Sequence, residues 1–178
     1  LSRCQKIHIN PTYDDESAQW LESQIDERTR GNLDSLQLLE SAHGVPHKAL
    51  ENLNGDYFLQ YQSWQNLLLE IALSPTKISE TEIFRDHELD VLKCLQHLIN
   101  EGIKIKTLKH DSANLDLNKV IEKASFNHLF NLLDDINRAI SLSQTTVNIK
   151  LLLDNVMVVW SHITNLKKYP AITSFQEH

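Results

Sequence analysis

Apolar side chains recur every three or four residues along most of this chain, and cap and stop residues separate the runs. Phe58, Tyr61, Trp64, Leu68 and Ile71 form one such stripe, and Leu89, Leu92, Leu95 and Ile99 another, widened by Val91 and Leu98. Phe126, Leu129, Leu133, Ile136 and Ile140 form a third. That spacing lines one face of an α-helix and cannot line one face of a strand. Only four glycines and four prolines occur in 178 residues, too few for the turns of an all-β fold. The expected fold class is therefore all-α. At 41 % hydrophobic residues the chain can form a packed core.

The start differs from the rest. Across Arg3–Ile9, Cys4, Lys6 and His8 alternate with Gln5, Ile7 and Ile9, which predicts a short strand broken by Pro11. Thr12 is positioned to N-cap a helix with Asp14, Asp15 and Glu16 in its electropositive first turn. Tyr13, Trp20, Leu21 and Ile25 supply its apolar side. Arg30-Gly31-Asn32 reads as a turn, and Asn32 as the cap of a helix carrying Leu33, Leu36, Leu39 and Ala42. Gly44 is expected in the C′ position that ends this helix, and Pro46 in the first turn of the next. Asn54-Gly55 stops that third helix. Three short helices with tight connections predict a compact unit at about 11–55.

A longer helical block follows at 56–166. Asp56 can cap its first helix and Ser74-Pro75 end it. Ser79-Glu80-Thr81-Glu82 has the capping-box pattern. The stripe from Leu89 continues through Gly102 to Ile105 and Leu108, which predicts a helix to about 107 in spite of the glycine. Further helices are expected at 116–123, 126–143 and 148–166, with a tail at 167–178. In the last helix Leu151, Leu152, Val156, Val159, Trp160 and Ile163 make an apolar side wider than one core contact needs.

The formal charge is −7, and the first 56 residues hold ten acidic and five basic residues. Groove-binding nucleic-acid modules are usually basic because phosphates must be neutralised, so strong direct DNA binding is not expected. Two cysteines, Cys4 and Cys94, are no disulfide framework, and reduced thiols in a cytoplasmic protein are expected. No apolar run approaches the ~18 residues of a membrane span. Leu1-Ser2-Arg3-Cys4 does not read as a signal peptide, and the chain is expected to be a fragment.

Chemistry-bearing motifs are sparse. Cys94 and His97 stand one helical turn apart, and His43 and His47 flank Gly44 and Pro46, but neither pair has zinc-ligand company, so no metal is expected. No phosphate loop, dinucleotide fingerprint or nucleophile elbow occurs. Asp14-Asp15 and Asp134-Asp135 are expected as helix starts or solvated faces, and Trp20, Trp64 and Trp160 as core or subunit contacts.

Three segments, in order, resemble clamp-loader subunits. Ser2-Arg3-Cys4-Gln5 resembles the Ser-Arg-Cys motif closing their AAA+ ATPase domain. The stretch Leu38-Leu39-Glu40-Ser41-Ala42-His43-Gly44-Val45-Pro46-His47-Lys48-Ala49-Leu50 resembles their lid. Val147-Asn148-Ile149-Lys150-Leu151-Leu152-Leu153-Asp154, leading to Trp160, is similar to the start of the last collar helix in the delta prime branch. The resemblance implies the end of an AAA+ domain at 1–10, a three-helix lid at 11–55 and a helical collar at 56–166.

It also implies roles. Arg3 falls on the family's arginine finger, acting in trans on ATP held by a neighbouring gamma/tau subunit. His47 falls where ATP-binding relatives carry a sensor arginine, which argues against this subunit hydrolysing ATP itself, and no cofactor is expected in this fragment. Partners would be gamma/tau and delta, met through a collar surface of Leu152, Val156, Val159, Trp160 and Ile163. The sliding clamp and primed DNA would be met by the whole loader. The expected function is a non-catalytic subunit of the DNA polymerase III loader, part of a DNA-directed DNA polymerase (nucleotidyltransferase) holoenzyme. A gamma/tau-type ATPase subunit and an unrelated helical interaction scaffold are the alternatives.

Overall fold

The computed structural model describes residues 14–25, 34–53, 56–109, 112 and 114–165. The strand expected before Pro11, the caps expected at Thr12 and Asn32, and the tail from 166 lie outside them. Every regular element among the described residues is helical, so the all-α expectation holds there. No helix is long and apolar enough to cross a membrane.

Two compact units divide at Gln62/Ser63, inside a helix. The first contains α1 (Asp15–Gln24), α2 (Ser35–Ser41), α3 (Pro46–Leu53) and the start of α4 (Tyr57–Leu73). Its core is Leu21, Ile25, Leu38, Leu39, Ala42, Ala49 and Phe58, with Leu50 and Leu53 against it. Phe58 joins that cluster, so the opening turn of α4 belongs to this unit, past the Asn54-Gly55 stop.

The helix termini show how the sequence builds this unit. α1 is capped by Asp14, whose Oδ1 accepts from the Ser17 amide at 2.8 Å. α2 is capped by Asp34, which accepts from the Leu36 and Gln37 amides. Both helices therefore start at an aspartate two residues beyond the cap read from sequence, because a carboxylate there meets the orphan amides of the first turn. At the other end of α2, Gly44 is not the C′ residue. His43 takes that place with φ 55°, donating its amide to Glu40, and Gly44 (φ 75°) donates to Leu39 at 2.9 Å. These are the paired bonds of a Schellman closure, shifted one residue toward the N-terminus. Inside the unit Asn52 Nδ2 donates to the Ser41 carbonyl, tying α3 to α2.

The second unit holds the rest of α4, a 3-10 helix (Pro75–Phe84), α5 (Glu88–Leu108), α6 (Leu115–Lys123), α7 (Phe126–Leu142) and α8 (Ile149–Ser161). Trp64, Leu67, Leu68, Leu69, Ile71 and Ala72 of α4 are all buried, the signature of a helix enclosed on several sides. Trp160 of α8 donates its Nε1–H to the Leu68 carbonyl at 2.7 Å, and Thr164 donates Oγ1–H to Ala72 at 3.0 Å. Each contact spans the same sequence separation, so α4 and α8 run parallel here. Gln96 of α5 donates to Asn137 of α7 at 2.6 Å, while Lys106 lies over the Phe126 ring. Those two contacts run in opposite chain directions, so α5 and α7 are antiparallel.

α5 is unbroken through Gly102, as expected, and the structure gives the reason. A Cβ at Gly102 would overlap Ile121 of α6, with Ile121 Cγ1 at 2.8 Å and Cδ1 closer still. The glycine lets two helices approach closely. Two expectations need correction. Ser79–Glu82 does not open a helix: the 3-10 helix already starts at Pro75, and Ser79 and Thr81 donate back to Thr76 and Ile78. Pro75 sets a helical φ at that first position. The last α-helix stops at Ser161, where His162 and Ile163 donate to Val159 and Trp160 and tighten the final turn.

Candidate functional site: exposed faces of the helical bundle

Arg3, the expected arginine finger, lies outside the described residues. His47, at the expected sensor position, is exposed on the first turn of α3. Its ring stands edge-on to Trp20 of α1, centroids 5.2 Å apart and 86° between planes. Trp20 is 38 % exposed, whereas Trp64 and Trp160 are almost wholly buried. Of the three tryptophans, Trp20 alone therefore sits at the surface, in an edge-to-face pair rather than in a core.

The apolar side of α8 separates into two faces. Leu153, Val156, Met157, Trp160 and Ile163 are buried. Leu152 and Val159 are half-buried. Val156, Trp160 and Ile163 of the expected partner surface therefore serve this chain's own packing. The exposed apolar residues are Leu151 at 58 %, Val158 at 44 % and, just before the helix, Val147 at 42 %. Leu151 and Val158 are seven residues apart, so they share one face. Val158 was missed in the sequence reading, although its spacing from Leu151 marks it.

A second exposed group lies at the start of α7. The inward stripe is Leu129, Leu132, Ile136 and Ala139. Phe126, expected in the core, is exposed, as is Phe130 at 48 %. The two rings stack, centroids 6.3 Å apart and 18° between planes, and the Lys106 ammonium lies 5.7 Å from the Phe126 centroid. The same ammonium donates to the Ile121 carbonyl at 2.9 Å. Further along α7, burial is the main cause holding the Asp135 carboxyl above its ordinary range; Arg138 lowers it and Asp134 raises it.

An open cleft of about 100 Å³ is lined by Glu82, Arg85, Glu88, Lys150 and Asp154, among others. Arg85 is already paired with Glu82, and Glu88, Asp154 and Lys150 remain, so the cleft gathers no excess of positive charge for an anionic ligand. Cys94 is fully buried on the core face of α5. Gly44 and Gly102, the glycines among the described residues, close a helix and admit a neighbouring helix, so neither belongs to a phosphate cradle. What the exposed faces of α7 and α8 offer chemically includes apolar and aromatic contact at Phe126, Phe130, Leu151 and Val158. No known protein family, curated protein or solved structure matches the chain.

Proposed function

We propose that this chain is the lid and collar portion of a cytoplasmic delta prime-type subunit of the DNA polymerase III clamp loader. It would assemble with gamma/tau and delta through its collar, without catalysing a reaction itself. The observation that carries this reading is the order of the three segments: Ser2-Arg3-Cys4, then the lid stretch Leu38–Leu50, then Asn148–Asp154 leading to Trp160. Support from the structure is that α8 buries one stripe and keeps Leu151 and Val158 exposed on another. A helix in a ring of subunits must serve two such sides at once.

On this reading Arg3 supplies a planar, permanently charged guanidinium to the phosphates of ATP bound by the neighbouring subunit. It stabilises charge as the γ-phosphoryl group transfers. His47 lacks a permanent charge at the sensor position, which supports a subunit that does not hydrolyse ATP itself. The test is reconstitution of the loader with Arg3→Ala in the full-length subunit. The expected result is normal assembly with clamp- and DNA-stimulated ATPase lowered at least tenfold. Unchanged ATPase in an assembled loader would remove Arg3 from the mechanism and leave an interaction role alone.

A further inference from the structure

The Phe126–Phe130 pair has no part in that reading, and its surroundings carry an inference of their own. Residues 104–123 hold five of the seventeen basic residues and only three of the twenty-four acidic ones. The rest of the chain is strongly acidic, so local charge here runs against the whole. Lys119 is paired with Asp116. Lys104 stands two residues from Lys106 on α5 and so faces away from it, whereas Lys109 and Lys123 are exposed and neither pairs with a described carboxylate. Lys106 reaches the Phe126 ring. Lys109 lies one turn beyond Lys106, and Lys123 precedes Phe126 by three residues. Phe126 and Phe130, on successive turns of α7, therefore sit at the edge of a cationic segment of the second unit.

We infer that this surface docks an acidic protein segment carrying apolar side chains, which rest on Phe126 and Phe130 while its carboxylates meet Lys109 and Lys123. The charge selects this occupant. Two lysines suffice for a short run of carboxylates, whereas a nucleic acid needs many phosphates neutralised, more than they can serve. The rings point the same way. Phe126 already has Phe130 stacked against it and an ammonium over its face, which leaves little free π-surface for a nucleobase. Apolar side chains need only the exposed ring edges and the outward side of Phe130.

The test is fluorescence anisotropy with the whole chain and a labelled synthetic dodecapeptide of alternating Asp and Leu. Labelled oligothymidylate and a peptide with Lys in place of Asp serve as controls. The expected result is saturable binding of the acidic peptide alone, weakening as salt rises. Phe130→Ala should weaken it about tenfold and Lys123→Glu severalfold, with unchanged circular dichroism. Both side chains are exposed, so these variants should fold. Absence of binding, binding indifferent to both substitutions, or preference for the oligonucleotide would each overturn the proposal. So would a concentration-dependent dimer abolished by Phe130→Ala, since a second copy would then own the surface.

Discussion

In the first unit, α1, α2 and α3 have ten, seven and eight residues and share one small cluster of buried side chains. The second holds α5 with 21 residues, α7 with 17 and most of the 17-residue α4, with Trp64 and Trp160 buried in it. Helices as short as those of the first unit are marginal alone and depend on caps and on one another. The longer ones carry continuous apolar stripes, and α8 is tied to the α4 backbone by Trp160 and Thr164. The first unit is therefore expected to open at lower cost than the second.

The largest expected effect is at Trp160. Trp160→Ala empties a fully buried site and removes the bond to Leu68, and should cost about 3–5 kcal/mol, read by urea unfolding of the second unit. Leu21→Ala removes a fully buried side chain from the smaller cluster and should cost about 3 kcal/mol. Amide exchange should then rise across α1–α3 while α5 and α7 stay protected. If both units lost protection together, the contrast between them would fail.

Gly102→Ala sharpens the comparison. Alanine favours the helix by about 1 kcal/mol, but its methyl meets Ile121, and overpacking costs about 1–3 kcal/mol. A net loss of about 1 kcal/mol is expected, and Ile121→Val in the same chain should recover part of it because Cδ1 is gone. An additive double variant would show that the close approach is not limiting.

The smallest effect is at the cap of α1. The Asp14 carboxyl titrates below its usual value of 3.8, chiefly because Ser17 hydrogen-bonds to it. A lowered folded pKa gives stability that is present above 3.8 and lost as pH falls through the folded value. Protection of the amides at the start of α1, relative to their intrinsic exchange rate, should therefore fall below about pH 4, and Asp14→Asn should flatten that dependence.

Much of the fold was legible because helical stripes are long and unambiguous. The stripe through Gly102 predicted α5 correctly, since Ile105 keeps phase with Leu98 beyond the glycine. Caps were harder: where Asn32 and Asp34 stand two apart, either can cap, and packing of the helix decides. At the end of α2, His43 took the left-handed position that the neighbouring glycine made the obvious reading. Three residues of the expected partner surface are buried for a different reason. A helical wheel shows which residues share a face but not how many neighbours cover it: α8 packs against α5, α7 and the 3-10 helix, and Trp160 also bonds to the α4 backbone, so Trp160, Val156 and Ile163 are buried. Phe126 was read as core because it keeps phase with Leu129, yet in the first turn of α7 it lies at the rim.

The proposed loader role is tested most directly by mixing the chain with purified gamma/tau and delta collar domains and reading the mass by light scattering after size exclusion. The account predicts a defined hetero-oligomer of collar-ring mass that Leu151→Asp with Val158→Asp dissolves without loss of helicity. A folded monomer that ignores both partners would contradict it and leave a helical interaction scaffold as the better reading.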